Sequence, residues 1–168
     1  MRARPAGHGQ RVGEGPEREH LERQATDLNL GDSVRFLGKR DDVASLLPIM
    51  DLFVQPSKSE GTSLALLEAM AAGVAVVATA VGGTPDALGP SAIDQLVEPG
   101  DQSALIAAIG ALLADQEKRK TAGRAGRVRV EQHYSFESMA GAYLALYEAM
   151  VRNPLHVQSS AANVRASA

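Results

Sequence analysis

The sequence predicts an α/β fold, a parallel sheet flanked by helices. Two apolar, β-branched segments, "DLFVQP" at 51–56 and "VAVVAT" at 74–79, have the composition of buried strands, the second covered on both faces. A helical segment from Leu64 to Ala72 lies between them, and Gly73 is a suitable residue to end it. Strands that alternate with helices pair in parallel through right-handed crossovers, so these segments predict a parallel sheet.

The first third of the chain is predicted to supply weaker elements. Residues 1–11 show no hydrophobic period, which indicates an irregular N-terminal segment. A charged helix follows Pro16, and the alternating segment "SVRFLG" is typical of a strand. Asp41 or Asp42 can cap a short helix that continues through Leu47.

The last third is predicted to be mostly helical. The segment "DQLVEPGD" is typical of a short strand and a turn, and helices follow over 102–114, 116–131 and 136–151. The small, polar residues of 152–168 indicate a disordered tail. The whole range 12–151 has the size of one domain.

Composition excludes several classes of function. The 168 residues carry a net charge of −3, which gives no general attraction to nucleic acid or to an anionic membrane. There is no cysteine, so disulfides, thiolate zinc sites and cysteine nucleophiles are excluded. The longest apolar stretch, Leu64 to Val81, is interrupted by Glu68, Gly73 and Thr79 and therefore predicts a helix, a turn and a strand instead of a membrane span.

A cluster of basic residues between Lys118 and Arg129 is the strongest local charge. Only three phenylalanines and three tyrosines occur in the chain, so no aromatic stacking platform accompanies the cluster. We therefore expect a solvated helix face, no nucleic-acid partner and at most peripheral contact with a membrane.

The segment "SKSEGTS" at 57–63 connects a predicted strand to a predicted helix. Ligands of parallel α/β sheets bind at the carboxyl ends of strands, and a helix N-terminus offers free N–H groups and a positive dipole end to an anion. Gly61 lets the backbone approach a ligand closely, and Thr62 or Ser63 can cap the helix. The sequence thus predicts an anion site at this loop.

Two carboxylates flank that predicted site. Glu60 precedes the helix, and Glu68 interrupts its apolar run, so Glu68 is predicted to be a buried carboxylate that needs a partner. Thr62 and Glu68 lie about 9 Å apart along a helix. A nucleoside diphosphate sugar has a matching layout of ribose diol, diphosphate and sugar hydroxyls. The alternatives are ordinary ones, since a helical Glu commonly pairs with a surface Lys or Arg and a loop Glu commonly favours the helix dipole.

The wider string "PSKSEGTSLALLEAMAAGVAVVATAVGGTPD" closely resembles the signature of the retaining glycosyltransferases of family four, which have the GT-B fold. The likeness includes the pair Glu60 and Glu68, the "LEAMAAG" helix and the turn at Gly82 and Gly83. It extends over roughly residues 12 to 150 through "VGEGPEREHLE", "VRFLGKRDDVASLL" and "LVEPGDQSAL". The family has two Rossmann-like halves, and the chain resembles an incomplete C-terminal half, which binds most of the nucleotide sugar.

The resemblance implies a role for each matching residue. Glu60 corresponds to the catalytic acid that contacts the donor-sugar hydroxyls, and Glu68 to the acid that binds the ribose. The resemblance places donor-sugar and diphosphate contacts at Gly61, Thr62, Ser63, Leu64 and Ala65. It places the base beside Gly38, Lys39 and Arg40. It also implies hexosyl transfer with retention, no cofactor and no required metal.

The chain departs from the family where it lacks the N-terminal half and the first strands of the C-terminal half. Lys39 and Arg40 do not align with the family's basic pair that neutralises the diphosphate. We therefore expect the chain alone to be inactive, with a glycan or lipid-linked acceptor held by a separately encoded N-terminal half. The alternatives are a non-catalytic truncated remnant or partner subunit that binds nucleotide weakly, and a GT-B epimerase. The resemblance implies a cytoplasmic location, with the inner face of the membrane as a possible site of action.

Overall fold

A computed structural model describes residues 8–152 and divides the chain into two compact units, the first ending at Leu46 and the second beginning at Leu47. The sequence predicted one domain over 12–151, and no composition change marks the division. Each unit contains parallel strands and helices. Apart from Arg152, the predicted tail at 152–168 lies outside the described residues.

The first unit is a two-stranded parallel sheet with helices. Its elements are β1 (Gly9–Val12), α1 (Arg18–Asp27), a 3-10 turn (Gly31–Ser33), β2 (Val34–Gly38) and α2 (Val43–Leu46). Strand β1 pairs with β2 in parallel, with Gly9 opposite Val34 and Arg11 opposite Phe36. The predicted strand and short helix are confirmed.

The strand β1 corrects the prediction of an irregular segment over 1–11. Its residues Gly9 and Gln10 are exposed, so apolar burial does not explain the strand. Backbone pairing with β2 does, and that pairing leaves no hydrophobic signal in the sequence. Residues 1–7 lie outside the described residues.

The second unit is a three-stranded parallel sheet, in the order β3-β4-β5, with five helices around it in the part of the chain that the structure describes. Its elements are a 3-10 turn (Leu47–Ile49), β3 (Phe53–Gln55), α3 (Leu64–Ala71), β4 (Val76–Thr79), α4 (Thr84–Leu88), a second 3-10 segment (Pro90–Gln95), β5 (Leu96–Val97), α5 (Gln102–Ala114), α6 (Gln116–His133) and α7 (Phe136–Arg152). The parallel sheet and the three C-terminal helices are confirmed. None of the helices between residues 8 and 152 has the length and apolar composition that a bilayer crossing requires.

The central strand β4 forms the core of the second unit. All four of its residues are buried, and Val77 has no exposed surface, so the prediction of a strand covered on both faces is confirmed. The prediction that β3 is buried is wrong: Val54 is 37% exposed, and Phe53 and Gln55 are half-buried. The reason is position, because β3 lies at an edge of this sheet and pairs with β4 alone there.

Helix α6 packs closely on α3 because two of its residues have no side chain. A Cβ atom added at Gly123 would lie 2.0 Å from the carbonyl oxygen of Gly73, and one at Gly126 would touch the side chain of Met70 at 3.5 Å. The buried face of α3 consists of Leu66, Ala69 and Met70. The loop that precedes α3 is therefore attached to a firmly packed helix.

The basic residues of α6 are solvated only in part. Lys118, Lys120, Arg124 and Arg127 are exposed, as predicted. Two other basic residues of α6, Arg119 and Arg129, form hydrogen bonds with neighbouring segments. The side chain of Arg119, 13% exposed, binds the Asp51 carboxylate at 3.0 Å and the Leu112 carbonyl at 3.0 Å. Arg129 donates to the carbonyls of Asp86 and Ala87 at 2.6 and 2.8 Å and so caps the end of α4.

Candidate functional site

A loop of eight residues, 56–63, leaves the carboxyl end of β3 and enters α3. Pro56 follows the strand and cannot continue its hydrogen bonding. Ser63 has the extended backbone of an N-cap residue, and its hydroxyl accepts a 3.3 Å hydrogen bond from the N–H of Leu66. Of the two capping residues that the sequence offered, Ser63 is the one that caps the helix.

The first turn of α3 carries free hydrogen-bond donors. Ser63 satisfies the N–H groups of Leu66 and Leu67 through its side chain and its carbonyl, respectively. The N–H groups of Leu64 and Ala65 have no acceptor among the residues that the structure describes. Both residues are exposed, and the positive end of the helix dipole lies here. This turn can therefore bind an anion through its backbone.

The carboxylate of Glu60 is half-buried and held from one side. Its Oε1 atom accepts a 2.7 Å hydrogen bond from Gln55 Nε2 and another of 2.7 Å from Ser57 Oγ. Its second oxygen, Oε2, has no hydrogen-bond partner within residues 8–152. One oxygen thus fixes the side chain, and the other is left to accept from a ligand hydroxyl.

Thr79, the last residue of β4, holds the backbone of the loop that carries Glu60. The hydroxyl of Thr79, which is 5% exposed, donates to the carbonyl of Ser57 and lies 3.4 Å from the carbonyl of Gln55. Sequence reasoning missed Gln55, Ser57 and Thr79. The sequence could have identified them as candidate site residues by position, because all three lie at or just beyond the carboxyl ends of adjacent parallel strands.

The prediction that Glu68 is buried is wrong. Glu68 is exposed on the same side of α3 as Leu64, whose side chain is 74% exposed, one helical turn before it. The prediction failed because α3 buries only the face that meets α6 and the sheet, and its uniformly apolar composition does not indicate which face that is. No cation in the described part of the chain pairs with Glu68, so the ordinary interpretation of a surface ion pair does not apply there. The carboxylate is free to bind a ligand.

A glycine turn after β4 holds the loop in place. The N–H of Gly83 donates to the carbonyl of Gly61 at 2.9 Å. Gly82 has a φ of +52°, and a Cβ atom there would lie 1.8 Å from the carbonyl oxygen of Glu60. Glycine is required at this position both by backbone conformation and by the close approach of the two loops.

The structure brings Glu60, Glu68 and the intervening residues together but places Gly38, Lys39 and Arg40 in the first unit. Gly38 has a φ of +68° and is buried; a Cβ atom there would lie 2.7 Å from the Glu14 carboxylate. Lys39 is exposed. Gly38 is the last residue of β2, and Lys39 and Arg40 follow it, so these three residues too lie at the carboxyl end of a parallel strand.

The side chain of Arg40 is already paired. Its guanidinium donates through two nitrogens to the two carboxylate oxygens of Asp42. These hydrogen bonds, with a smaller contribution from the opposite charge, lower the pKa of Asp42 and raise that of Arg40. Arg40 would have to exchange this partner in order to contact a ligand.

Comparisons with known proteins agree with this architecture. The family model for glycosyl transferases group 1 matches residues 11–129. The N-acetyl-alpha-D-glucosaminyl L-malate synthase of Bacillus anthracis is 35% identical over 142 residues, which are 84% of this chain and 37% of that enzyme.

Two solved structures share the fold. Sucrose-phosphate synthase from Thermosynechococcus elongatus superposes with a TM-score of 0.78 at 35% identity, covering 88% of this chain and 39% of that one. HepE of Anabaena, solved in complex with UDP, superposes with a TM-score of 0.78 at 25% identity, covering 87% and 42%. The chain thus spans about two fifths of the proteins that it resembles. It belongs to the glycosyl transferases group 1 family, and its fold is part of the C-terminal half of a GT-B glycosyltransferase.

Proposed function

We propose that this chain is the donor-binding part of a retaining glycosyltransferase and that it binds a nucleoside diphosphate sugar at the loop 56–63 and the first turn of α3. The observation that carries the proposal is the position of two carboxylates with free oxygens, Glu60 and Glu68, on either side of the unpaired N–H groups of Leu64 and Ala65. Membership of the family and the UDP complex of HepE support it.

Each part of the donor has a matching group. The diphosphate accepts hydrogen bonds from the loop amides of Thr62 and Ser63 and from the first turn of α3, and Gly61 permits its close approach. Glu68 accepts hydrogen bonds from the two ribose hydroxyls. Glu60 accepts from hydroxyls of the transferred sugar through Oε2. The assignment of Gly38, Lys39 and Arg40 to the base rests on the family resemblance and stays a prediction.

The proposed reaction transfers a hexosyl group to a hydroxyl of a glycan or lipid-linked acceptor. The bond between the sugar's anomeric carbon and the diphosphate oxygen breaks, and the acceptor oxygen forms the new bond on the same face of the sugar. The acceptor's proton passes to the departing diphosphate oxygen. Negative charge develops on the leaving diphosphate, where the dipole of α3 stabilises it. We propose that no metal is required, so EDTA should leave donor binding unchanged.

The proposed enzyme needs more than this chain. Holding the acceptor against the donor is worth roughly 7–11 kcal/mol of barrier in such reactions, and we assign that task to an N-terminal half, carried by the same or a separate polypeptide. The chain alone should therefore bind donor without turning it over. The alternative is a non-catalytic truncated remnant or partner subunit that binds nucleotide weakly.

Calorimetric titration of the purified chain with UDP, GDP and their glucose and mannose conjugates tests the proposal. Glu68→Gln should weaken both nucleotide and nucleotide-sugar binding about tenfold or more, because charge-assisted hydrogen bonds to the ribose are lost. Glu60→Gln should weaken only the sugar-bearing donor. Glu137→Gln, at an exposed position of α7, is the matched control and should change neither affinity.

Melting curves of the same variants separate ligand binding from folding. All three should melt within a few degrees of the wild type, since Glu60 is only half-buried and the other two are exposed. Equal nucleotide affinity in wild type and Glu68→Gln contradicts the ribose assignment. If nucleotide binds only weakly and the sugar adds no affinity, the alternative of a truncated remnant or partner subunit replaces the proposal.

A further inference from the structure

Gln55 occupies the point where β3, the loop 56–63 and α3 are linked by side chains. It is the last residue of β3 and is half-buried. Its Nε2 atom donates to Glu60 Oε1 at 2.7 Å, and its Oε1 atom accepts from Ser63 Oγ at 3.1 Å. One amide side chain therefore contacts both the proposed sugar-binding carboxylate and the N-cap of the helix.

The direction of these hydrogen bonds follows from the neighbouring groups. The oxygen of the Ser63 hydroxyl accepts from the N–H of Leu66, so its hydrogen is available to the Gln55 carbonyl oxygen. The amide nitrogen of Gln55 then faces Glu60, an acceptor when ionised. The reversed amide would place an oxygen against the carboxylate, so the network has one consistent orientation.

The same network determines which oxygen of Glu60 stays free. Gln55 and Ser57 both donate to Oε1, and Thr79 in turn holds the carbonyl of Ser57. The carboxylate is fixed at one atom by Gln55 at the end of β3 and by Ser57, whose backbone is held by Thr79 at the end of β4. Its Oε2 has no partner within residues 8–152. Rigid strands are better supports for such positioning than the loop itself.

We propose that Gln55 is a positioning residue that orients the Glu60 carboxylate so that Oε2 faces the sugar of the bound donor, and that it couples this orientation to the capped N-terminus of α3. The first part of the statement rests on the proposed function, since it assigns the sugar to Glu60. The second part concerns the chain without any ligand.

The test uses Gln55→Met, which keeps the length of the side chain and removes both hydrogen-bonding groups. Binding of UDP and UDP-glucose is measured for wild type, Gln55→Met, Glu60→Gln and the double variant. Gln95→Met is the control for loss of a buried glutamine, because Gln95 is 9% exposed and lies in the 3-10 segment before β5.

We expect Gln55→Met to reduce the extra affinity that glucose gives to UDP to the level of Glu60→Gln, with UDP itself bound within about twofold of wild type. The double variant should be no weaker than Glu60→Gln, because the two residues act through one carboxylate. Gln95→Met should change neither affinity. A general loss of stability would lower the affinity for both UDP and UDP-glucose and would not give this pattern.

Two outcomes overturn the proposal. One is a Gln55→Met chain that binds UDP-glucose as wild type does while Glu60→Gln does not. The other is a crystal structure of Gln55→Met in which the Glu60 carboxylate keeps its orientation. If wild type and Glu60→Gln bind UDP-glucose equally, the proposed function of Glu60 fails instead, and the crystal structure alone decides whether Gln55 orients the carboxylate.

Discussion

The amide of Gly83 donates a 2.9 Å hydrogen bond to the carbonyl of Gly61. This single bond joins the turn after the central strand β4 to the loop that carries Glu60. The loop is therefore positioned from three sides, by Gln55 at the end of β3, by Thr79 at the end of β4 and by the glycine turn. The candidate site is an arrangement of strand ends more than a property of one motif.

Gly82→Ala should disturb the site far more than Gly73→Ala. Both glycines have positive φ, +52° and +75°, so both variants incur a similar backbone strain of about 1–2 kcal/mol. Only the Cβ at residue 82 meets another atom, the Glu60 carbonyl oxygen. We expect UDP-glucose affinity to fall more than about tenfold in Gly82→Ala alone, since it displaces the loop. Equal affinities in the two variants would show that the turn does not position Glu60.

Thr84→Val should stabilise the protein. The Thr84 hydroxyl is buried, with the residue 1% exposed, and it has no hydrogen-bond partner in the described chain. Valine has nearly the same shape and removes this unsatisfied group, so the free energy of unfolding in urea should rise by about 1–2 kcal/mol. Thr79→Val is the matched control and should lower it by a similar amount, because that hydroxyl is bonded. A destabilised Thr84→Val would mean that the hydroxyl has a bound partner.

Arg40→Gln should raise the pKa of Asp42. In the folded protein the hydrogen bonds from Arg40 lower this pKa, so the pair stabilises the fold above the unfolded-state pKa of about 3.9. That contribution is lost as the pH falls through the lower, folded-state pKa. NMR titration of the Asp42 carboxyl should move toward the ordinary value in Arg40→Gln and stay unchanged in Arg35→Gln, which alters an exposed arginine of β2. An unchanged titration in both would show that the ion pair does not persist in solution.

The C-terminal helix α7 should make the isolated chain self-associate. None of its residues is buried, and the apolar side chains of Tyr143 and Tyr147 are 54% and 58% exposed. Exposed apolar surface of this extent favours association. In sedimentation velocity, replacing both tyrosines by lysine should shift the chain toward monomer.

The control for α7 places two lysines on the opposite side of the same helix, at Ala145 and Ala149. This variant adds the same charge and should still associate. If both variants become monomeric, net charge and not the tyrosine face controls association. A wild-type chain that is monomeric at high concentration contradicts the prediction outright.

The sheet of the second unit was predictable because β4 carries its signal in its own composition. All four residues of Val76–Thr79 are buried, and a β-branched apolar run records that directly. Strand β1 was not predictable, because its residues are polar or small and only their pairing with β2 makes them a strand. The exposure of β3 likewise depends on its place at a sheet edge, which composition does not encode.

The candidate site was predictable in its acids but not in their surroundings. The spacing of Glu60 and Glu68 was visible, whereas the exposure of Glu68 depends on which face of α3 meets α6. Gln55 and Thr79 end strands β3 and β4, and their role appears only when the strand ends are brought side by side. Side chains that support a site through tertiary contacts leave little trace in the sequence.

The contact between Gly123 and Gly73 has a consequence for how this protein can evolve. A side chain on α6 at residue 123 would strike the backbone of the turn that ends α3. Such a substitution becomes tolerable only if the turn shifts. Substitutions at residues 123 and 73 should therefore covary among related sequences. Helix α6 lies far along the chain from the acids of the site, yet it constrains the helix that carries Glu68. Covariation between residues of α3 and α6 would show that the candidate site requires a particular distance between these two helices.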